Sequence, residues 1–335
     1  MTKEQIVKLL LGGEFPEPTR RPDLIETHIS WVILCERTVF KIKKPICYSF
    51  LDFSTLAKRK YYCEREIELN RRLTHDMYLN VQPVREISGR FIIGDKEGEI
   101  IDYAVMMRKL DRDRQMDALL LNNKVSYRDI RNLAEKIAIF HKNTDILYKK
   151  DVLDIRNKFN DLEGERKYLQ EYLSIDSCNI ISRAIEASNT FMERNEKLLS
   201  ARLSAGFFRD CHGDLHSRNI FLLPDPQPFD CIEFNDSYRQ IDVLNEIAFL
   251  CMDLEAFGRE ELSDLFLNCY NSIFPAIKTD EDRRVFVYYK GYRANIRAKV
   301  NSLRAHEADN DGARKLFLNE TDKYVKLMDR YMKTL

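Results

Sequence analysis

Between Glu99 and Glu163 the chain contains neither glycine nor proline, although both punctuate the segments before and after it. A stretch that long without a turn-former is expected to run as continuous secondary structure, and its content changes character along the way. Upstream lie β-type runs: ISWVILC and TVFKIKK flank Glu36-Arg37, RFIIG follows Ser88-Gly89, and IIDYAVMM precedes a charged segment. Between them, FSTLAKRKYYCEREIELNRRL places Leu56, Tyr62, Ile67 and Leu73 near helical spacing, with Ser54 or Thr55 available as a cap. Downstream, residues 126–147 put Ile130, Leu133, Ile137 and Phe140 on one helical stripe. Helices are therefore expected to take over after about residue 110. They are interrupted once, where NIFLL and FDCIEF enclose the Pro-rich turn PDPQP and read as a lone hairpin. The reading is an α+β chain of two lobes. Residues 1–107 form a small antiparallel sheet with one helix, and residues 108–335 form a mainly helical lobe.

Composition narrows the function classes. With 335 residues and 44% hydrophobic side chains the chain can bury one large core or two smaller ones. The 54 Lys and Arg balance the 54 Asp and Glu, so no global field recruits nucleic acid or an anionic membrane. Eight scattered cysteines without a C-x-x-C pair read as reduced core residues. The apolar runs WVILC, YAVMM and IAFLCM fall far short of the roughly 20 residues that span a bilayer, and MTKEQ is no signal peptide. A soluble, cytoplasmic protein without a nucleic-acid or membrane partner is expected.

The densest chemistry lies in CHGDLHSRNIFLL, residues 211–223. His212, Asp214 and His216 form H-x-D-x-H, a set that zinc or iron accepts, but this leaves Asn219 unused and offers no further ligand cluster. A Ser-His-Asp hydrolase is disfavoured because no G-x-S-x-G elbow occurs. Phosphoryl transfer uses more of the residues. It needs a carboxylate to take the proton of the attacking hydroxyl, and an amide plus a second carboxylate to hold Mg²⁺ against nucleotide phosphates. Asp214 and Asn219, with four residues between them, have the kinase spacing; His212 is then the structural histidine and Gly213 permits a tight backbone.

The second carboxylate follows from the hairpin. If Leu223 and Phe229 flank the turn, Ile220 faces Ile232 and Asn219 faces Glu233, with Asp230 and Asp236 as competitors. A phosphate-binding cation is sought in TVFKIKK, where Lys41 and Lys43 share a face of an apolar strand and need partners; Glu66 is the first candidate and Glu64 the second. A two-residue turn at Glu36-Arg37 would set Lys41 against Val32, an apolar residue fit to cover a purine. Lys41 is preferred and Lys43 stays open.

These residues together resemble the aminoglycoside-phosphotransferase and choline-kinase-like family, the small-molecule branch of the protein-kinase-like fold. The likeness rests on HGDLHSRNIFLL (212–223), FDCIEFNDSYRQIDVLNEIAFL (229–250), CEREIELNRRL (63–73), DYAVMMRKL (102–110) and LAEKIAIFHKNT (133–144). ETHISWV, VFKIKKP and FLDFSTLAKRKYYCEREIELNRRL further resemble a bacterial subgroup described only in generic terms, whose members sometimes carry an appended P-loop kinase-like domain. No G-x-x-x-x-G-K-[ST] occurs here, so the stand-alone form is expected. The resemblance implies ATP and Mg²⁺ as cofactors, Asp214 as catalytic base, Asn219 and Glu233 as metal ligands, and Lys41 paired with Glu66. It also implies a hinge at Met107, Arg108 and Lys109 whose backbone receives adenine. The family usually has Asp where Glu233 stands. THISW, with Thr27 and Ser30, replaces a glycine-rich phosphate loop. Asp242 would brace the catalytic loop or cap the following helix.

The expected activity is ATP/Mg-dependent phosphorylation of a small-molecule hydroxyl, with a nucleotide-binding pseudokinase as the alternative. A protein kinase lacks D-F-G and A-P-E here, and a nucleotidyl transferase is the remaining rival on the scaffold. Arg293 and Arg297, four apart on one helix face, could grip an anionic acceptor with two guanidinium forks, or could be a salt-bridged face.

Overall fold

The computed structural model describes residues 1–335 and divides into two compact units, 1–122 with 218–239, and 123–217 with 240–335. The division is not the single cut at residue 107 that the sequence suggests, because the chain returns to the first unit for the hairpin segment. Phe221 supplies the reason: it is buried in one apolar cluster with Cys63, Ile67, Tyr78, Val105 and Met107.

The first unit is built on a six-stranded antiparallel sheet ordered Asp23–Glu26, Ser30–Leu34, Thr38–Lys43, Glu99–Arg108, Tyr78–Ile87, Arg90–Ile93. Strand alternation sorts the side chains of Thr38–Lys43. Phe40 and Ile42 enter a core with Trp31, Ile33, Phe91 and Ala104, while Val39, Lys41 and Lys43 occupy the other face. The helix Leu56–Asn70 is capped by the Thr55 hydroxyl, which accepts from the Lys58 amide, and buries Cys63, Glu66 and Ile67. The turn at Glu36-Arg37 sets Val32 against Lys41, as the two-residue turn requires.

The hairpin register differs from the expected one. Ile220 pairs with Pro228 and Phe221 with Gln227, and the Phe229 amide donates to the Asn219 carbonyl at 2.8 Å. Asn219 thus lies opposite Phe229, not Glu233. The turn is tighter because Leu222 leaves the ladder: its amide donates to Arg114 and its carbonyl accepts from the Arg114 guanidinium.

In the second unit the helix Tyr127–Asn143 starts at a capping box between Ser126 and Asp129 and fully buries Ile130, Leu133 and Ile137; Phe140 is half-buried. It packs on the helix Glu260–Ile273, and the long helices Asp280–His306 and Asp311–Met332 pack on each other. A short antiparallel pair, Phe208–Asp210 with Gln240–Asp242, brings the loop after residue 210 beside the start of the helix Val243–Ala256. No helix is long and apolar enough to cross a membrane.

Candidate active site

Two groups of polar residues, one in each unit, contain side chains singled out from the sequence. In the first unit Lys41 Nζ lies 2.8 Å from Glu66 Oε1 and 2.6 Å from Asp230 Oδ1. Lys43 Nζ lies 2.6 Å from the other Glu66 oxygen and also binds Glu233 Oε1. Glu66 is therefore shared between both lysines, and each lysine has a further carboxylate of its own. Buried lysines are costly unless paired, and this network supplies the pairs.

Burial works against both ammonium groups, but the surrounding carboxylates outweigh it and hold Lys41 and Lys43 above the usual lysine range. Glu66 shows the converse. Burial opposes its charge, and the two lysines still bring it down to about 2. Glu233 is pushed up, first by burial and then by repulsion from Glu66, in spite of Lys43. Glu64, the second candidate partner, is exposed and faces Lys60.

The segment bearing Asp230 and Glu233 is fixed by the helix and sheet. The Asp230 amide donates to the Tyr78 hydroxyl, and the Cys231 amide to Asn70 Oδ1. Asp230 itself has φ 63°, a left-handed conformation uncommon outside glycine. It directly follows the residue paired with Asn219, and its side chain is 43% exposed, against 3% for Glu233. The register that singled out Glu233 is not the one adopted, and Phe229, which carries no ligand group, stands opposite Asn219. Asp236 is engaged by Arg65 and Arg239.

The groups expected from the sequence to cover a nucleotide are partly committed. Thr27 and Ser30 close a turn on each other: the Thr27 hydroxyl donates to the Ser30 carbonyl and accepts from the Ser30 amide, both at 2.9 Å. The Ser30 hydroxyl is buried without a partner. At the anticipated hinge the Arg108 amide donates to Met77 and the Lys109 amide to Arg37, each at 2.8 Å, while Met107 is buried. Those two N–H groups are thus taken by neighbouring segments of the chain.

In the second unit, residues 211–217 form a loop held from beneath by Glu246. Its carboxylate accepts the amides of His212 at 2.6 Å and Gly213 at 3.0 Å. Arg293 donates to the Gly213 carbonyl at 3.1 Å and to Asn245 Oδ1 at 2.7 Å. The His212 ring is buried and its Nδ1 accepts the Asp214 amide at 3.2 Å. Gly213 has φ 91°, where a Cβ would cost about 1–2 kcal/mol.

Asp214 is half-buried, with His216 Nε2 at 3.4 Å from its Oδ2. Burial would raise its pKa, but His216, His212 and Arg297 together hold it well below the usual carboxylate range. The H-x-D-x-H residues do not gather as ligands; the close group of ligand atoms, within 4.8 Å of one another, is instead His141, Cys211 and Glu246.

Of the two roles open to Asp242, it takes the helix cap: it accepts from the Leu244 amide and forms a two-pronged pair with Arg202 at 2.7 and 2.9 Å. Arg293 and Arg297 are not a pair of open forks, because Arg293 is engaged by Gly213 and Asn245. Glu246 and Asp253 were missed by motif reading. Their signal was present: two acids inside the otherwise apolar VLNEIAFLCMDL must be paired if that helix is buried.

No family model matches the chain. It is 31% identical over 298 residues to uncharacterized proteins of Mycobacterium tuberculosis (Rv2004c) and Mycobacterium bovis (Mb2027c), a match covering 87% of this chain and 57% of theirs. The chain thus matches little more than half the length of these relatives. Among solved structures, a GDP complex of aminoglycoside 2'-phosphotransferase-IIIa is similar at TM-score 0.52 and 12% identity, covering 95% of this chain and 94% of that one. Choline kinase from Cryptosporidium parvum Iowa II is similar at TM-score 0.52 and 13% identity, covering 93% and 88%. The AMP-bound spectinomycin phosphotransferase is similar at 0.50 and 11%, covering 98% of each. The chain has the α+β protein-kinase-like fold that aminoglycoside phosphotransferases and choline kinases share.

Proposed function

We propose that the protein is a kinase that moves the γ-phosphoryl group of ATP to a hydroxyl of a small molecule. The observation that carries this reading is the Lys41–Glu66 pair with Asp230 beside it: a buried, oriented ammonium next to a carboxylate that follows directly on the partner of Asn219. Neighbours of the same fold crystallised with GDP or AMP support a purine nucleotide, and their acceptors are small molecules by name.

The residues suit magnesium. An amide and a carboxylate, Asn219 with Asp230, offer the oxygen donors a hard cation takes, and Glu233 stands behind as a second carboxylate held by Lys43. Magnesium bound with the nucleotide would draw charge from the phosphate oxygens. Lys41, aligned by Glu66, supplies a fixed positive charge to the α/β-phosphates. Asp214 takes the proton of the acceptor hydroxyl as the oxygen–phosphorus bond forms; the γ-phosphorus–oxygen bond to ADP breaks and ADP departs. Glu246 and Arg293 act on this step only by fixing the loop backbone.

The test combines turnover with binding. Replacing Asp214→Asn should lower turnover by about 10²–10⁴-fold, the usual worth of a positioned base, with nucleotide affinity by calorimetry little changed. Full activity in that variant would remove Asp214 from the mechanism. The pseudokinase reading is favoured by the engaged Arg108 and Lys109 amides and by the self-closed Thr27–Ser30 turn. Nucleotide-dependent thermal stabilisation with no ADP formed from any acceptor would select it.

A further inference from the structure

Two buried polar atoms near the Asp214 loop lack partners: Nε of Arg297 and Oγ of Ser217, in residues 7% and 1% exposed. An orphaned buried donor is rare, and each such group points to a ligand or a strained exception. Their surroundings form a built cluster. Ser217 lies three residues beyond Asp214, and its amide donates to Asp253 Oδ2 at 2.8 Å. Arg297 lies one helical turn beyond Arg293, whose Nη1 reaches the Gly213 carbonyl, so the same helix face runs along the loop. Its guanidinium sits 5.4 Å from the Tyr324 ring centre.

Charge and hydrogen-bond capacity select the ligand. Burial opposes the Arg297 charge, and Tyr324, Asp253 and Asp214 more than offset it. One guanidinium, bonded to Tyr324 but with its Nε unpartnered, thus stands among two carboxylates, since Arg293 is engaged elsewhere. A second anion there would meet Asp214 and Asp253 with too little positive charge to balance it. An ammonium would suit the charge but offers no acceptor to an Arg N–H. A hydroxyl oxygen accepts from Arg297 or Ser217 while a neighbouring hydroxyl of the same molecule donates to Asp214.

We propose that Arg297 and Ser217 form the acceptor subsite and that the acceptor is a neutral polyhydroxy compound, one hydroxyl of which gives its proton to Asp214 while a second accepts from Arg297 Nε. This rests on the kinase reading above, with ATP as phosphoryl donor.

The full chain is assayed with ATP and Mg²⁺ against neutral polyols and aldoses, their phosphate esters, the matching sugar acids and the matching amines, following ADP and the ³¹P spectrum of the product. Turnover is expected with neutral acceptors, and deleting one hydroxyl should raise KM on the order of ten- to a hundredfold. Arg297→Met should cost the parent acceptor as much while adding little for that deoxy analogue, with KM for ATP unchanged. Arg297→Lys, which keeps the charge, and Ser217→Ala provide folded comparisons checked by thermal melting. Preference for charged acceptors, or an acceptor KM indifferent to Arg297, overturns the subsite alone. No ADP with any class overturns the kinase reading and the subsite together.

Discussion

Lys41 and Asp230, 189 positions apart, form an ion pair with 2.6 Å between Nζ and Oδ1, while Lys43, two residues along the same strand, is sealed against Glu66 and Glu233. The two lysines differ in surroundings and should differ in phenotype. Lys43→Met leaves Glu66 and Glu233 sharing one fewer counter-ion in a dry site and should destabilise the fold by about 3–5 kcal/mol. Lys41→Met, with its Asp230 partner partly in solvent, should unfold less readily yet lose nucleotide affinity. Denaturant melts and nucleotide calorimetry on both variants separate the roles; the reverse pattern would make Lys43 the phosphate lysine.

The metal carboxylate can be assigned by the same contrast. Asp230→Asn should abolish magnesium-dependent turnover. Glu233→Gln acts through Lys43 and should change the magnesium requirement by about ten- to a hundredfold at most. A magnesium titration of ADP formation reads both, and loss of turnover in the Glu233 variant alone would restore the carboxylate first read from the sequence.

Glu246 gives a pH dependence. Burial pushes its pKa from the ordinary 4.5 up to about 7, against the pull of Arg293 and the amides of His212 and Gly213. Between those values the folded protein holds a proton that the unfolded chain has lost. This contribution therefore favours folding most below pH 4.5, declines as pH rises toward 7, and is flat above it. The full change is roughly 3 kcal/mol. Glu246→Gln cannot titrate, so its melting temperature relative to the native protein should rise between pH 5 and pH 8. A constant difference would show that Glu246 stays ionised throughout.

Arg202 joins Asp242 to Asp282, at 2.5 Å, and to the Ala276 carbonyl, all within the helical unit. Removing it strands two carboxylates. Arg202→Met should cost about 3–5 kcal/mol in a denaturant melt while leaving the KM for ATP unchanged. A shift in that KM would tie Asp242 to the catalytic loop after all.

The sequence determined the strands, the Glu66 helix, the pairing of Val32 with Lys41, and the placement of both lysines on one face, because each follows from local periodicity or a short turn. It also singled out Glu66 and the His212–Gly213–Asp214 backbone, whose residue types are constrained one by one. Tertiary structure decided the rest. Leu222 exchanged its ladder bonds for Arg114 and shifted the hairpin, and a two-residue slip in each strand is invisible to a pattern that repeats every two residues. Likewise Glu246, not Asp242, came to hold the loop, and Arg293 bound its backbone while Arg297 turned to Tyr324. Such choices depend on which buried donor meets which acceptor across helices distant in sequence, and spacing alone carries no record of that meeting.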